Sequence, residues 1–124
     1  MESKIKALAL ENFEEVLEIR RHLHQNPELS FEEYETSKYL KSKLSDWGLA
    51  IDETWVETGF TVVIDSGKPG KTVAIRADLD ALPIHEKAEV EYKSIAEGKM
   101  HACGHDVHAS CLMGVAKVLH ETKA

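Results

Sequence analysis

Apolar residues recur with helical spacing in two stretches of the first half of the chain and in one at its end. From Asn12 onward, Phe13, Val16, Leu17 and Leu23 keep that spacing. Asn12 with Glu15 three residues later has the pattern of a capping box. Arg20 and Arg21 fall late in the helix, where positive charge suits the macrodipole, and Asn26-Pro27 ends it. Lys4 to Leu10 either extends this helix or forms a turn before it. Ser30-Phe-Glu-Glu33 is a second capping-box pattern; Leu40, Leu44 and Trp47 follow at i, i+4 and i+7, and Gly48 marks the stop. The period then changes. Leu49 to Val56 alternates loosely and reads as a strand. Residues 60–65 (FTVVID) and 72–77 (TVAIRA) are rich in β-branched residues, and the SGKPGK between them is a turn, so the two runs predict a hairpin whose second strand is apolar enough to be central. Residues 84–102 are polar and without period. A last helix starts near Asp106, with Val107, Cys111, Val115 and Val118 on its buried side and Gly114 placed for close packing. The order α, α, β, β, β, long loop, α predicts an α/β fold, a mixed sheet with flanking helices.

Composition narrows the class. A chain of 124 residues with 43% hydrophobic content can bury a core as one soluble domain. No apolar run is long enough to span a bilayer, and the charged start MESKIKALALENFEE lacks the features of a secretory signal, so a cytoplasmic protein with no membrane partner is expected. The net charge of −7, with basic residues interleaved among acids, argues against nucleic acid as a partner. On one helix Cys103 and Cys111 would stand roughly 12 Å apart at about 1.5 Å per residue, too far for a disulfide, and reduced thiols are expected.

Two constellations could carry chemistry. Arg76-Ala-Asp78-Leu-Asp80 ends the best predicted strand. Two aspartates two apart on an extended segment point the same way, so they could bind a metal, orient a histidine or hold a basic group; equally, one could cap the turn before Pro83 and pair with Arg76. His101-Ala-Cys103-Gly-His105-Asp106-Val-His108 offers thiolate and imidazole, the preferred zinc ligands, and imidazole also suits manganese, iron and cobalt. Gly104 lets the loop turn so that Cys103 and His105 face one ion. Asp106 is placed to cap the helix or to orient an imidazole. His105 and His108 share a face if both are helical. The plainer readings are a loop residue at His101, a packing or substrate-contact residue at His108, and a buried core thiol at Cys111. His22, His24, His85 and His120 read as solvated or capping residues.

Three blocks, RRHLHQNPELSFEEYETSKYL, RADLDALPI and MHACGHDVHAS, resemble the amidohydrolase branch of the M20 metallopeptidases, in the order of that family. The resemblance implies a zinc-peptidase-like catalytic domain that holds a pair of divalent metals (Mn, Zn, Co or Ni) and hydrolyses the amide bond of N-acyl-amino acids. It implies Cys103 and His105 as metal ligands and Asp80 as the catalytic-site aspartate that orients the metal centre. Asp78 stands where the wider family has histidine and is not carried over as a ligand. The resemblance also implies a general-base glutamate in a Glu-Glu pair downstream of the C-G-H block, further ligands beyond it, and an inserted dimerisation domain, none of which occurs within residues 1–124. The chain is therefore expected to be the N-terminal portion of the catalytic domain, inactive and weak in metal binding alone, with exposed sheet edges that favour self-association. Two alternatives to an enzyme stand beside it: a non-catalytic truncated fragment, and a small metal-binding module built on Cys103, His105, His108 and Cys111.

Overall fold

Asn12 divides what the sequence pattern left as one helix or a helix with a leading turn. In the computed structural model, which describes residues 1–53 and 55–123, α1 (Glu2–Glu11) ends at Asn12 and α2 (Phe13–Gln25) begins immediately after it. The Leu8 carbonyl accepts both the backbone N–H of Asn12 at 3.0 Å and its side-chain Nδ2–H at 2.9 Å. With the side chain committed to the helix before it, Asn12 makes no capping bond to the helix after it, and the expected Asn12–Glu15 box does not form. Glu15 turns instead to Trp47 Nε1, which donates at 3.1 Å, and to the Lys117 ammonium.

The second expected box is also replaced. α3 (Tyr34–Asp46) starts after Glu33, and its free N–H groups at Glu35 and Thr36 donate to the Glu28 carboxylate. Glu33 accepts the N–H of Phe31. Ser30 is unavailable because its hydroxyl donates to Asp80. At the other end the N–H groups of Gly48 and Leu49 return to the carbonyls of Ser45 and Leu44, closing α3 as expected.

The mixed sheet is not formed: among the described residues there are four helices and no strand, only isolated bridges at Leu29–Ala81, Asp52–Thr61 and Leu82–Met100. The reason lies in what each run touches. Phe60, Val62 and Ile64 pack against the core while Thr61 and Val63 face outward, the alternation of a strand. Their bridge runs back to Asp52, however, not forward to 72–77. Ala77 at the end of the third run packs against the core, but Val73 and Ile75 are 79% and 58% exposed and the run has no ladder partner. β-Branched residues favour strands chiefly by packing on neighbours, and here none are supplied. SGKPGK closes on itself, with Gly67 N–H on Asp65 and Lys68 N–H on Ser66, without pairing the flanking runs. Of the run 49–56, Thr54 lies outside the described residues.

The core lies between α2, α3 and α4 (His105–Thr122) and contains Ile19, Leu23, Leu40, Leu44, Leu49, Ala109 and Met113. The buried side of α4 is Asp106, Ala109, Ser110, Met113 and Val118. Val107, Cys111 and Val115 are exposed, which corrects the expected face by about one residue, or 100° of helix; only Val118 stands where expected. Asp106 can lie on the inner side because Arg20 and His24 meet its carboxylate there, and Ser110 because its hydroxyl donates to the Asp106 and Val107 carbonyls of its own helix. Gly114 does allow close packing: a Cβ at that position would lie 2.9 Å from Val16 Cγ2 on α2. Gly114→Ala sets a helix-propensity gain of about 1 kcal/mol against an overpacking cost of about 1–3 kcal/mol, since a β-branched valine yields poorly. A net loss of about 1 kcal/mol in urea unfolding is expected, and Val16→Ala in the same chain should return much of it.

Candidate metal centre

Residues 28–30, 78–81 and 103–105 meet at the N-terminus of α4. Ala81 N–H donates to the Glu28 carbonyl at 2.7 Å beside the Leu29–Ala81 bridge, which draws the residues after the first helix pair against the D-L-D segment. Ser30 Oγ then donates to Asp80 Oδ2 at 2.7 Å. Asp80 Oδ1 lies 2.8 Å from His105 Nδ1, and the Asp80 carbonyl lies 3.0 Å from the same nitrogen. Both are acceptors, so Nδ1 carries the hydrogen and Nε2 is left with its lone pair. The Ser30 hydroxyl does most to hold the Asp80 carboxyl below its ordinary value of 3.8; its own backbone N–H and His105 add to this, and partial burial opposes it. Asp80 is thus an ionised acceptor at neutral pH.

Gly104 makes the corner. It is the N-cap of α4 with φ 87°, a left-handed conformation that a side chain would strain. Cys103 therefore stands outside the helix and His105 in its first turn, and the Cys103 thiol is free and exposed. The two aspartates take different roles. Asp78 pairs with Arg76 at 2.7 Å in an exposed contact, with its other oxygen 3.9 Å from His105 Nε2, whereas Asp80 is turned inward to the ring. His108 is exposed, with its ring centroid 6.4 Å from that of His105. Cys103, His105, His108 and Cys111 do not converge: among the described residues no group of three or more His, Cys, Asp or Glu is arranged to hold an ion. The donors nevertheless fit one. An imidazole whose Nδ1–H is fixed on a carboxylate presents Nε2 as a ligand, and a free thiol stands one glycine away.

Several residues read as peripheral are not. Burial holds His101 neutral, below its ordinary 6.5, with neither ring nitrogen hydrogen-bonded. His24 is buried too, between Asp106 and Glu86. Asp106 orients an imidazole, as one reading allowed, but that of His24; it makes no capping bond. His22 stays exposed, as expected, with its ring stacked on Tyr39 at 3.7 Å between centroids. The one local signal for His24 is its i, i+4 spacing from Arg20 beside the buried Ile19 and Leu23.

Acid should weaken this structure. Burial alone would push the Glu86 carboxyl up, but hydrogen bonds from His24 and the Ser94 N–H outweigh it and hold the group below 4.5. The Lys117 bond does the same for Glu15 against a smaller effect of burial, with Trp47 assisting. A carboxyl depressed in the folded state adds stability that is fully present above 4.5 and is lost as pH falls through the folded value beneath it. The urea midpoint should therefore drop as pH is lowered below 4.5; a flat midpoint there would contradict these contacts.

A family profile described as Peptidase family M20/M25/M40 matches residues 74–124. Thermostable carboxypeptidase 2 of Saccharolobus solfataricus is 48% identical over 109 residues, 87% of this chain and 28% of its own length. IAA-amino acid hydrolase ILR1-like 2 of Arabidopsis thaliana is 50% identical over 111 residues, 90% of this chain and 25% of its own. The crystal structure of Bacillus subtilis YXEP protein, described as a dinuclear metal binding peptidase from the M20 family, superposes with TM-score 0.86 at 39% identity, over 96% of this chain and 33% of that one. The residues matched by the profile include Asp80 and His105, the pair joined at the edge of the helical base. The chain belongs to the M20 peptidase family, and it spans between a quarter and a third of the length of these relatives.

Proposed function

We propose that residues 1–124 are the N-terminal portion of the catalytic domain of a metal-dependent amidohydrolase that cleaves N-acyl-amino acids, with the dimerisation domain and the rest of the catalytic domain supplied by sequence outside these residues. The observation that carries the reading is the Asp80–His105 hydrogen bond, which commits Nδ1 and leaves Nε2, among the described residues, outside any hydrogen bond, on a residue one glycine from the exposed Cys103 thiol. Cys103 and His105 would hold one edge of a divalent metal pair (Mn, Zn, Co or Ni), and Asp80 would orient His105. Such an ion, when bound, acidifies a water and polarises the amide carbonyl. The chain's own part is to fix the His105 tautomer, to offer the thiolate, and to set both at a left-handed corner that cannot relax without moving α4.

Two candidate ligands hold an ion weakly, so the 124-residue chain alone is expected to bind metal poorly and not to turn over. The curated relatives' names, an amino-acid-conjugate hydrolase and a carboxypeptidase, favour an amide substrate ending in an amino acid. Exposed Val63, Val73 and Ile75 favour self-association of the isolated chain. Free thiols favour a cytoplasmic setting, and no helix among the described residues is long and apolar enough to cross a membrane. The test combines a cobalt titration with an assay of hippurate and N-acetyl-amino acids in added manganese. A thiolate-to-cobalt absorption that disappears in Cys103→Ser, without turnover, is expected. Turnover by the isolated chain would refute the partial-domain reading, and an absorption unchanged by the substitution would refute the site.

A further inference from the structure

Behind the candidate metal centre lies a buried charge cluster to which the reading above gives no task. His24, Glu86 and Asp106 are 4%, 3% and 1% exposed. His24 Nδ1 lies 2.8 Å from Asp106 Oδ2, and His24 Nε2 lies 2.8 Å from Glu86 Oε2. Arg20 Nε donates to the same Asp106 oxygen at 3.1 Å, and the Ser94 N–H donates to Glu86 Oε1 at 2.7 Å. Tyr92 meets the His24 ring edge-on at 5.6 Å and lies beneath Arg20 and Arg21. Lys93 acts on Glu86 from a distance, and neutral His101 lies within electrostatic reach of both His24 and Asp106.

Both neighbours of the ring are carboxylate oxygens, which accept. A neutral imidazole donates from one nitrogen only and would aim a lone pair at the other, buried carboxylate. That sets a ring lone pair against a carboxylate oxygen at 2.8 Å in a buried site, where an acceptor facing an acceptor is costly. With a hydrogen on each nitrogen the cluster has two cations, Arg20 and His24, and two anions, Asp106 and Glu86, and every close contact is a donor meeting an acceptor. The position of the cluster gives it a consequence. Asp106 follows His105 directly in the first turn of α4, and successive helix residues point about 100° apart. Tying Asp106 to α2 therefore sets the rotation of that turn, and with it the direction of the His105 ring. Gly104 has no side chain to do this as a cap.

We infer that His24 is a doubly protonated positioning residue, which clamps Asp106 and Glu86 and so aims His105 at Asp80 and the Cys103 corner. Its meaning for metal binding rests on the proposed function; its two ring hydrogens do not.

Nitrogen-edited NMR of the histidine rings in the full chain at neutral pH tests it. Two ring N–H signals are expected for His24, and one, protected by Asp80, for His105. A single N–H on His24 overturns the clamp. His24→Gln should erase the protected His105 signal and weaken cobalt binding about 10- to 100-fold, the usual cost of losing support behind a ligand. Leu44→Ala, which removes core packing elsewhere, should leave the His105 signal in place, as a merely structural effect would not discriminate between the two. An unchanged His105 signal in His24→Gln refutes positioning. Should that variant not fold, Glu86→Gln decides. Its amide can meet Nε2 as acceptor or donor but carries no charge, so the Nδ1–H on Asp106 and the protected His105 signal should both stay as they are; loss of either refutes the proposal. A wild-type chain with both His24 hydrogens and no cobalt binding would sink the metal reading and leave the clamp standing.

Discussion

Asp106→Ala should cost on the order of 3–5 kcal/mol, the range for removing one partner of a buried ion pair. That is much of the stability of an ordinary domain, about 5–15 kcal/mol. The loss has three parts. The His24 ring and the Arg20 guanidinium lose the oxygen they share. Glu86 is left as the sole anion against two cations in a buried space. The backbone carbonyl that accepts the Ser110 hydroxyl at 2.7 Å remains, but the turn carrying it is no longer tied to α2. Asp106→Asn keeps the shape and one acceptor, so it should be clearly milder. Urea unfolding of the two variants measures the difference, and similar midpoints would mean that the charge of Asp106 carries little of its role.

The second large effect is on ligation. Asp80→Asn should lower cobalt affinity about 10- to 100-fold, at roughly 1.4 kcal/mol per tenfold, with little change in stability because the Asp80 side chain is only partly buried. Asparagine removes the charge that fixes the ring and leaves the Nδ1 hydrogen held by neutral carbonyl acceptors alone, the backbone one included, so Nε2 becomes a weaker and less firmly aimed ligand. His105→Ala removes the ligand outright and should lose more. Equal affinities for Asp80→Asn and the unchanged chain, by titration in one buffer, would contradict the orienting role.

How much of this was legible depends on how far apart the partners are. α2, α3 and α4 follow from local spacing, as do the stop at Gly48 and the irregular 84–102. Asp80 and His105 were both marked by residue type, and Gly104 by the need for a turn. The face of α4 differs from the expected one because Val107, Cys111 and Val115 make a tidy apolar stripe, whereas the inward Asp106 looks like a surface residue until its partners on α2 are known, and Ser110 satisfies its hydroxyl on its own helix. The same holds for His24, whose contacts to Glu86 and Asp106 lie 62 and 82 positions away; no helical or strand period reaches that far. The runs 60–65 and 72–77 carry strand chemistry, but a strand is a relation between segments, and Val73 and Ile75 of the second meet solvent.

The Ser30–Asp80 contact closes a span of 50 positions and Asp80–His105 a further 25. Chain closures of that length are slow relative to forming a helix turn. The imidazole can thus reach its working tautomer only after the helix pair, the D-L-D segment and the last helix have come together. Its Nδ1 proton should become slow to exchange late in refolding, making that one resonance a clock for completion of the whole assembly.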